Sequence, residues 1–483
     1  MLVRGLKKPN TLENKLFMRT RFAPSPTGYL HLGNIRTALF NYLLACHKQG
    51  EFLLRVEDTD QLRSAEAFTQ QLQDDLQWLG LNWQGDMRQA SVPRPYFQSQ
   101  RQLIYVDYYE QLQRTGAAYA CFCTEIELVR QREQQRAQGK PSRYKGTCRD
   151  LSAKEIAHKQ SQGLQPSLRF RVPSHERLIF QDWIKGAQSF ASDHFGDFVI
   201  RRADGTPGFL FCNALDDALM GVTHVLRGED HLSNTPRQRL LLQALGLAVP
   251  LYGHLPLITG TDAVPLSKRA GSFSVKALRE MGYLPIAICN YLSRLGHTYD
   301  DHSLMTLEQL AANFSVDRLH TAPAHFDESQ LYFWQKQAIQ KLDSVTFWSC
   351  LDQSIQELIP VAVRQDFIEV IRPLVLFPAE VHAWAQVLFV DPLQLDAEVQ
   401  VIVKAADPQL WPVVRQIVQV NFSDKAALSK ALKACFNHYP AAVRKAGWQA
   451  LRLALTGCLA GPELVDVIQL IGCERACRRL ERP

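Results

Sequence analysis

At 483 residues, 46% hydrophobic and 21% charged, the chain has the make-up of a globular protein with room for roughly two to four domains. No run of 18 or more apolar residues occurs, which excludes a conventional membrane-spanning helix, and eleven cysteines scattered in apolar context point to a reducing compartment instead of a disulfide framework. The net charge of +6 sits in residues 401–483, with 12 Lys and Arg against 6 Asp and Glu, while the rest balances at 42 of each. A basic C-terminal part on a neutral body suits one domain gripping a phosphate backbone; the plainer reading is a solvated helical surface.

In chain order, residues 1–17 carry Lys and Arg but no continuous apolar core or small-residue cleavage site, and read as an N-terminal extension, not a secretory signal. Thr20–Ala23 reads as a buried strand, followed by the turn PSPTG and a helix beginning near Leu32. Further strands are expected at Phe52–Val56 and Ala118–Phe122, with helices over Ile35–His47 and over Ala65–Leu79, the latter ended by Gly80. This alternation predicts parallel βαβ units in a doubly wound sheet, with ligands beyond the carboxyl ends of the strands. From Cys121 to Ser192 the pattern breaks into a polar insertion with a Gln/Arg-rich helix (Glu125–Gln138), a turn at 139–141 and a strand over Ser167–Val172. Alternating strands are expected again over 197–217, turning at 204–207. Beyond residue 271 the chain reads as helical. Ser423 is expected to cap a helix over 424–436, Pro462 to open another that Gly472 stops, and a basic helix (Cys473–Arg482) to close the chain.

Two turns carry the first chemical signal. The helix N-terminus after PSPTG, with His31 and Gly33 at the turn, offers free backbone N–H groups and a positive dipole end to an anion. Gly28 and Gly33 admit close backbone approach because they lack Cβ. Ser267, Lys268 and Arg269 precede Gly271 in a cationic loop able to reach a polyphosphate. Two such elements without a P-loop point to ATP chemistry.

These residues also carry a resemblance. RFAPSPTGYLHLGN (21–34), followed by RTALFNYLLA, resembles the "HIGH" region of class I aminoacyl-tRNA synthetases, and PLSKR (265–269) resembles their "KMSKS" loop. FLLRVEDTD (52–60), PYFQSQR (95–101), THVLRGEDHLSNTPRQ (223–238) and LRLALTG (451–457) narrow it to bacterial-type glutamyl-tRNA synthetases, from about Met18 to the end. The resemblance implies an α/β, split Rossmann catalytic domain with an insertion, followed by an all-α anticodon-binding domain. The expected bounds are 18–120 and 193–260 for the Rossmann halves and 121–192 for the acceptor-binding insertion. The KMSKS-like loop and stem-contact region would occupy 261–335, and the helical domain 336–483. The implied activity is ATP-dependent attachment of L-glutamate to tRNA through glutamyl-adenylate, giving glutamyl-tRNA, AMP and diphosphate. The glutamate tRNA is the expected substrate, and the glutamine tRNA stays open. A cytoplasmic, monomeric enzyme is expected, with Mg²⁺ arriving on ATP.

Amino-acid activation spreads negative charge over phosphate oxygens, so positioned donors matter more than a general base. By family analogy His31 and Lys268 are those donors, and the ATP site takes in Gly28, Gly33, Asn34, Ser267 and Arg269. A histidine at a helix start is also an ordinary cap. Glutamate needs cations for two carboxylates and an anion for its ammonium. Arg21 and Arg227 are the candidate forks, Glu57 the ammonium partner, and Arg21–Glu57 could alternatively be a structural ion pair. The resemblance adds Ala23, Ser25 and Asn213, and puts Phe209 where the family commonly has Tyr. Pro265 replaces the first Lys of the loop, which is expected to weaken ATP handling.

Cys121, Cys123 and Cys148 supply three thiolates for tetrahedral zinc, with Asp150 or Tyr144 as fourth ligand. Many bacterial family members are similar but have histidine where this chain has Asp150; the alternative is ordinary buried cysteines. Arg444, Lys445, Arg475, Arg478, Arg479 and Arg482 are candidate tRNA contacts, or simply solvated charge. Other readings are the shortened relative that glutamylates a tRNA queuosine, which lacks a helical C-terminal half, and glutaminyl-tRNA synthetase, whose C-terminal part is β-rich. A weakened paralogue that only binds tRNA is the non-enzyme reading.

Overall fold

The computed structural model describes residues 17–59, 66–84, 96–260 and 273–481. Residues 1–16 of the expected extension, the whole Pro265–Gly271 loop and Arg482 therefore lie outside the described residues. The chain divides into two compact units, Met1–Leu278 with Cys289–Asp327, and Arg279–Ile288 with Glu328–Pro483.

The first unit begins β1 (Arg19–Phe22), α1 (Leu32–His47), β2 (Glu51–Leu54), α2 (Glu66–Trp78), α3 (Gln102–Arg114), β3 (Ala118–Cys121), α4 (Glu125–Ala137) and α5 (Ala153–Ser161). It continues with β4 (Ser167–Phe170), β5 (Arg177–Asp182), β6 (Gly186–Ala191), β7 (Phe198–Arg201), α6 (Phe209–Leu219), β8 (His224–Gly228), α7 (Thr235–Leu245) and β9 (Leu251–Leu255). Short strands β10 (Ile258–Thr259) and β11 (Ala324–His325) pair in parallel. β1 pairs in parallel with β2, Arg19 opposite Glu51, and β8 with β9, His224 opposite Leu251. The two pairs meet where the Thr223 N–H donates to the Arg19 carbonyl at 2.9 Å. β1 and β2 each bury three consecutive residues, as strands covered on both faces do. α1 explains the covering. Its Leu32, Ile35, Leu39 and Leu43, spaced by three or four residues, are all fully buried. Each such side chain contributes about 1.5–3 kcal/mol relative to exposure.

The insertion is antiparallel. β3, β4 and β7 form one sheet, with Ala118 opposite Phe170 and Phe170 opposite Phe198, and β5–β6 is a hairpin closed at Asp182 and Gly186. Two expectations are corrected here. Ala118–Phe122 is not a third parallel strand, because it pairs antiparallel with β4. The 197–217 stretch holds one strand only: FLFCNALDDAL is the helix α6, whose residues Phe211 to Asp217 are all buried. A short apolar run buried on every side has no period that separates strand from helix.

The second unit has no strand among its described residues. Its helices pack around a core that includes Phe347, Phe367, Leu388, Val414, Leu432, Phe436, Leu451 and Ile468. Asp424, not Ser423, caps the helix Lys425–Asn437, its carboxylate accepting from the N–H groups of Ala426 and Ala427 at 2.8 and 3.0 Å. The helix before Gly472 is Leu464–Ile471, preceded by Glu463, and the final helix is Cys473–Arg479. Arg475, Arg478 and Arg479 all converge on Asp391, with N–O distances of 2.7, 3.4 and 3.3 Å, so these three cations serve an internal cluster. No helix among the described residues is long and apolar enough to cross a membrane.

Candidate active site

The carboxyl ends of β1, β2 and β8, the loop from Ala23 to Leu30 and the start of α6 surround a cavity of about 450 Å³. Arg21, Ala23, Ser25, Gly28, His31, Gly33, Asn34, Glu57, Phe209, Asn213 and Arg227 all line it. Every sequence-derived residue of the nucleotide and amino-acid sets that falls among the described residues is thus in one place. Ser267, Lys268 and Arg269 lie outside them. Among the described residues, the charged groups lining the cavity are Arg21, Arg36 and Arg227 against Glu57 and Asp230.

His31 is the N-cap of α1. Its Nδ1 accepts the Gly33 N–H at 3.1 Å, and its own N–H donates to Asn34 Oδ1 at 3.4 Å. Burial lowers the imidazole pKa, so the ring is neutral at pH 7. With Nδ1 accepting, the proton must sit on Nε2, which makes that nitrogen a donor. The capping role and the donor role are therefore compatible. A Cβ on Gly33 would stand 3.0 Å from His31 Cε1, so glycine there keeps the ring in place; at Gly28 nothing lies within 4 Å.

Below the turn lies a buried charge network. Arg21 meets Asp217 edge-on, Nε to Oδ1 at 3.1 Å and Nη2 to Oδ2 at 3.2 Å, with Nη1 on the Leu226 carbonyl at 3.4 Å. Arg55 donates to Asp217 at 2.6 Å and to Glu57 at 2.9 Å. Glu57 also accepts from Asn213 at 2.6 Å, and Asn213 Oδ1 from Gln238 at 2.8 Å. Burial pushes the Glu57 carboxyl up, and Arg55, Asn213 and Arg21 oppose it. The alternative Arg21–Glu57 ion pair is thereby replaced by Arg21–Asp217 and Arg55–Glu57. Arg21's fork is spent inside the protein. Arg227 differs: its Nη1 is buried with no hydrogen-bond partner although the residue lines the cavity. Burial lowers its pKa only to about 10, so it stays cationic.

Sequence reasoning missed Arg55, Asp217 and Gln238. Arg55 and Gln238 stand inside the quoted blocks FLLRVEDTD and THVLRGEDHLSNTPRQ. Asp217, in the stretch read as strands, had no signal.

Residues 17–333 match the family described as "tRNA synthetases class I (E and Q), catalytic domain", and residues 306–482 match "Anticodon binding domain". The chain is 48% identical to "Glutamate--tRNA ligase 2" of Coxiella burnetii over 96% of this chain and 99% of the relative. It is 49% identical to "Glutamate--tRNA ligase 2" of Nitrosococcus oceani, covering 97% and 98%. The chain belongs to the glutamate–tRNA ligases, a family of class I aminoacyl-tRNA synthetases. The fold agrees with that of the glutamate–tRNA synthetase of Elizabethkingia anophelis: TM-score 0.85 at 27% identity, covering 96% of this chain and 99% of that one. A glutamate–tRNA ligase of Elizabethkingia meningosepticum, solved in complex with its amino acid, matches equally at 0.85.

Like the Rossmann cavity, the cysteine cluster in this glutamate–tRNA ligase family member is built across the chain. The sulfurs of Cys121, Cys123 and Cys148 lie within 4.8 Å of one another, and Cys123–Cys148 is 3.6 Å. The Tyr144 hydroxyl sits 3.4 Å from Cys121 Sγ and 3.6 Å from Cys123 Sγ, and accepts the Cys148 N–H at 2.8 Å. Arg169 donates to Cys121 Sγ at 3.2 Å, and its guanidinium lies 3.9 Å from the Tyr144 ring centroid. The Cys121 thiol is pushed down by hydrogen bonding to Cys148 first, then Tyr144 and Arg169, against its burial. Asp150 stands elsewhere: its carboxylate is 85% exposed and paired with Arg171 at 3.2 Å. Of the two candidates for a fourth ligand, Tyr144 is the one whose oxygen lies among the sulfurs.

Proposed function

We propose that this chain attaches L-glutamate to tRNA in two steps. In the first, the α-carboxylate of glutamate attacks the α-phosphorus of ATP and diphosphate leaves, giving glutamyl-adenylate. In the second, the terminal ribose hydroxyl of tRNA attacks the carbonyl carbon and AMP leaves. The observation that carries the reading is Arg227, a cation whose Nη1 has no protein partner in the cavity that also holds the α1 N-terminus and His31.

In this reading Arg227 takes a carboxylate of glutamate, Glu57 attracts the ammonium, and Ala23, Ser25, Phe209 and Asn213 shape the amino-acid end. Arg21 contributes field more than a free fork, since Asp217 engages it. Gly28, Gly33 and Asn34 line the ATP end. His31 Nε2–H donates to phosphate oxygens as charge develops there, an effect worth about 2.7–4 kcal/mol for one such donor. Lys268, with Ser267 and Arg269, adds a cation to the same phosphates, and Mg²⁺ arrives with ATP, largely water-coordinated. Pro265 in place of a lysine weakens ATP handling.

Cys121, Cys123, Cys148 and Tyr144 would hold a structural zinc. A tetrahedron with Zn–S near 2.3 Å and Zn–O near 2.0 Å has S–S edges of about 3.8 Å and S–O edges of about 3.5 Å. The distances of 3.6, 3.4 and 3.6 Å fit these edges. Held by these four residues, zinc would pin the segment around Tyr144 and Cys148 to β3. Residues 121–192 would meet the acceptor end of tRNA, 261–335 its stem, and 336–483 its anticodon. The enzyme would act as a cytoplasmic monomer.

The test is ATP–diphosphate exchange with added tRNA, followed by charging of separately purified glutamate and glutamine tRNAs. Glutamate-dependent exchange with no response to glutamine is expected. Intact tRNA binding without exchange would leave only the weakened-paralogue reading.

A further inference from the structure

Arg227 is held with unusual completeness for a side chain that leaves one buried nitrogen unpaired. Its Nε–H donates to His254 Nε2 at 3.2 Å, and its Nη2 to Thr235 Oγ1 at 2.8 Å and Gln238 Oε1 at 2.7 Å. A planar guanidinium fixed at two of its three nitrogens cannot rotate. Its remaining corner, the buried Nη1, therefore has one direction available.

The Nε bond exists only if His254 Nε2 carries a lone pair, and that is decided one residue further away. Asp182 Oδ2 lies 2.5 Å from His254 Nδ1, and both side chains are fully buried. An ionised carboxylate can only accept, so the imidazole proton is on Nδ1 and Nε2 is the acceptor. Asp182 is itself fixed, because Oδ1 accepts the N–H groups of Ile184, Lys185 and His254 at 3.0, 2.8 and 3.2 Å. Burial alone would raise its pKa, but donation from His254 and these N–H groups holds it below the usual carboxylate range.

We propose that Asp182 and His254 are positioning residues for amino-acid recognition. Asp182, at the end of β5 in the insertion, fixes the His254 tautomer on β9, and His254 orients Arg227 on β8 so that Nη1 meets the carboxylate of glutamate. The arrangement follows the logic by which a second partner fixes a ligating histidine, with a guanidinium in the metal's place. It makes the insertion part of the glutamate site, although no insertion residue lines the cavity. The inference rests on the reading that Arg227 binds glutamate.

The experiment is steady-state aminoacylation by the full chain, with Arg227→Ala as the control for that reading. His254→Phe removes the acceptor, and His254→Gln restores one without needing Asp182. His254→Phe is expected to raise the KM for glutamate about 10-fold with kcat and the KM for ATP within about two-fold, and His254→Gln to recover most of the loss. Arg227→Ala is expected to raise the glutamate KM further, with no added effect of His254→Phe on that background. Asp182→Asn gives the same split more weakly and serves if His254→Phe does not fold. An unchanged glutamate KM in the His254 and Asp182 variants, or equal losses in glutamate KM, ATP KM and kcat, overturns the proposal. An unchanged glutamate KM in Arg227→Ala overturns instead the reading on which it rests.

Discussion

Arg21 and Asp217 face each other as a two-pronged pair, 3.1 and 3.2 Å apart, and both are almost wholly buried. They are 196 residues apart in the chain, and Arg55 shares the same carboxylate at 2.6 Å. The pair ties the end of β1 to α6 beneath the cavity, so it fixes the floor on which a ligand would rest. Removing Asp217 leaves two buried guanidinia facing each other. Asp217→Ala is expected to destabilise the first unit by about 3–5 kcal/mol, read as a lower melting temperature, whereas Asp217→Asn, which keeps the acceptor oxygen, loses less.

His31 should separate helix capping from chemistry. His31→Ala removes both the α1 cap and the Nε2–H donor. About 1 kcal/mol of stability is expected to go with the cap, and about 10²–10³ in the exchange rate with the donor. His31→Asn keeps a capping oxygen and should restore the melting temperature without restoring exchange. Recovery of the rate in His31→Asn would assign the residue a capping role alone.

The fourth ligand of the cysteine cluster can be decided by metal content. Tyr144→Phe should lower bound zinc in the purified protein, and Asp150→Ala should leave it near one equivalent, since Asp150 is exposed and paired with Arg171. Metal-free wild-type protein would dispose of the site altogether. Chelation should reduce the melting temperature without touching the Rossmann cavity's residues.

Acid should destabilise the first unit through its histidines. Burial lowers the pKa of His254, and that of His224 and His297 to about 4. In each case the folded value lies below the unfolded value of about 6.5, so the unfolded chain binds more protons between these limits. Stability is fully present above about 6.5 and is lost as pH falls towards 4. Chemical denaturation at pH 7.5, 6 and 5 should show the decline; a flat profile would mean that these rings take up protons equally in the folded and unfolded chain.

Gly33 tests the packing of the turn. Gly33→Ala brings a methyl group to 3.0 Å from His31 Cε1. The ring must shift, so the exchange rate should fall more than the melting temperature does. Gly28→Ala, with no neighbour within 4 Å, should be neutral for folding and should raise the ATP KM if nucleotide lies there.

What the sequence determined by itself was local and periodic. PSPTG between a buried strand and a largely apolar helix dictated the strand–turn–helix with His31 at its cap, because turn and capping residues act over a few positions. The matched blocks carried the family and gathered the amino acids of one cavity, from Arg21 to Arg227. Tertiary structure alone decided who bonds whom. Charge pairing depends on which side chains meet across strands, so Arg21 went to Asp217, Arg55 took Glu57, and Tyr144, not Asp150, met the thiols. The same holds for α6, read as strand because a short run buried on every side has no period to tell it from helix, and for Asp182 and His254, brought together across 72 residues. A buried polar group must find a partner or cost about 1–3 kcal/mol, and which partner is in reach is a property of the fold, not of the neighbouring sequence.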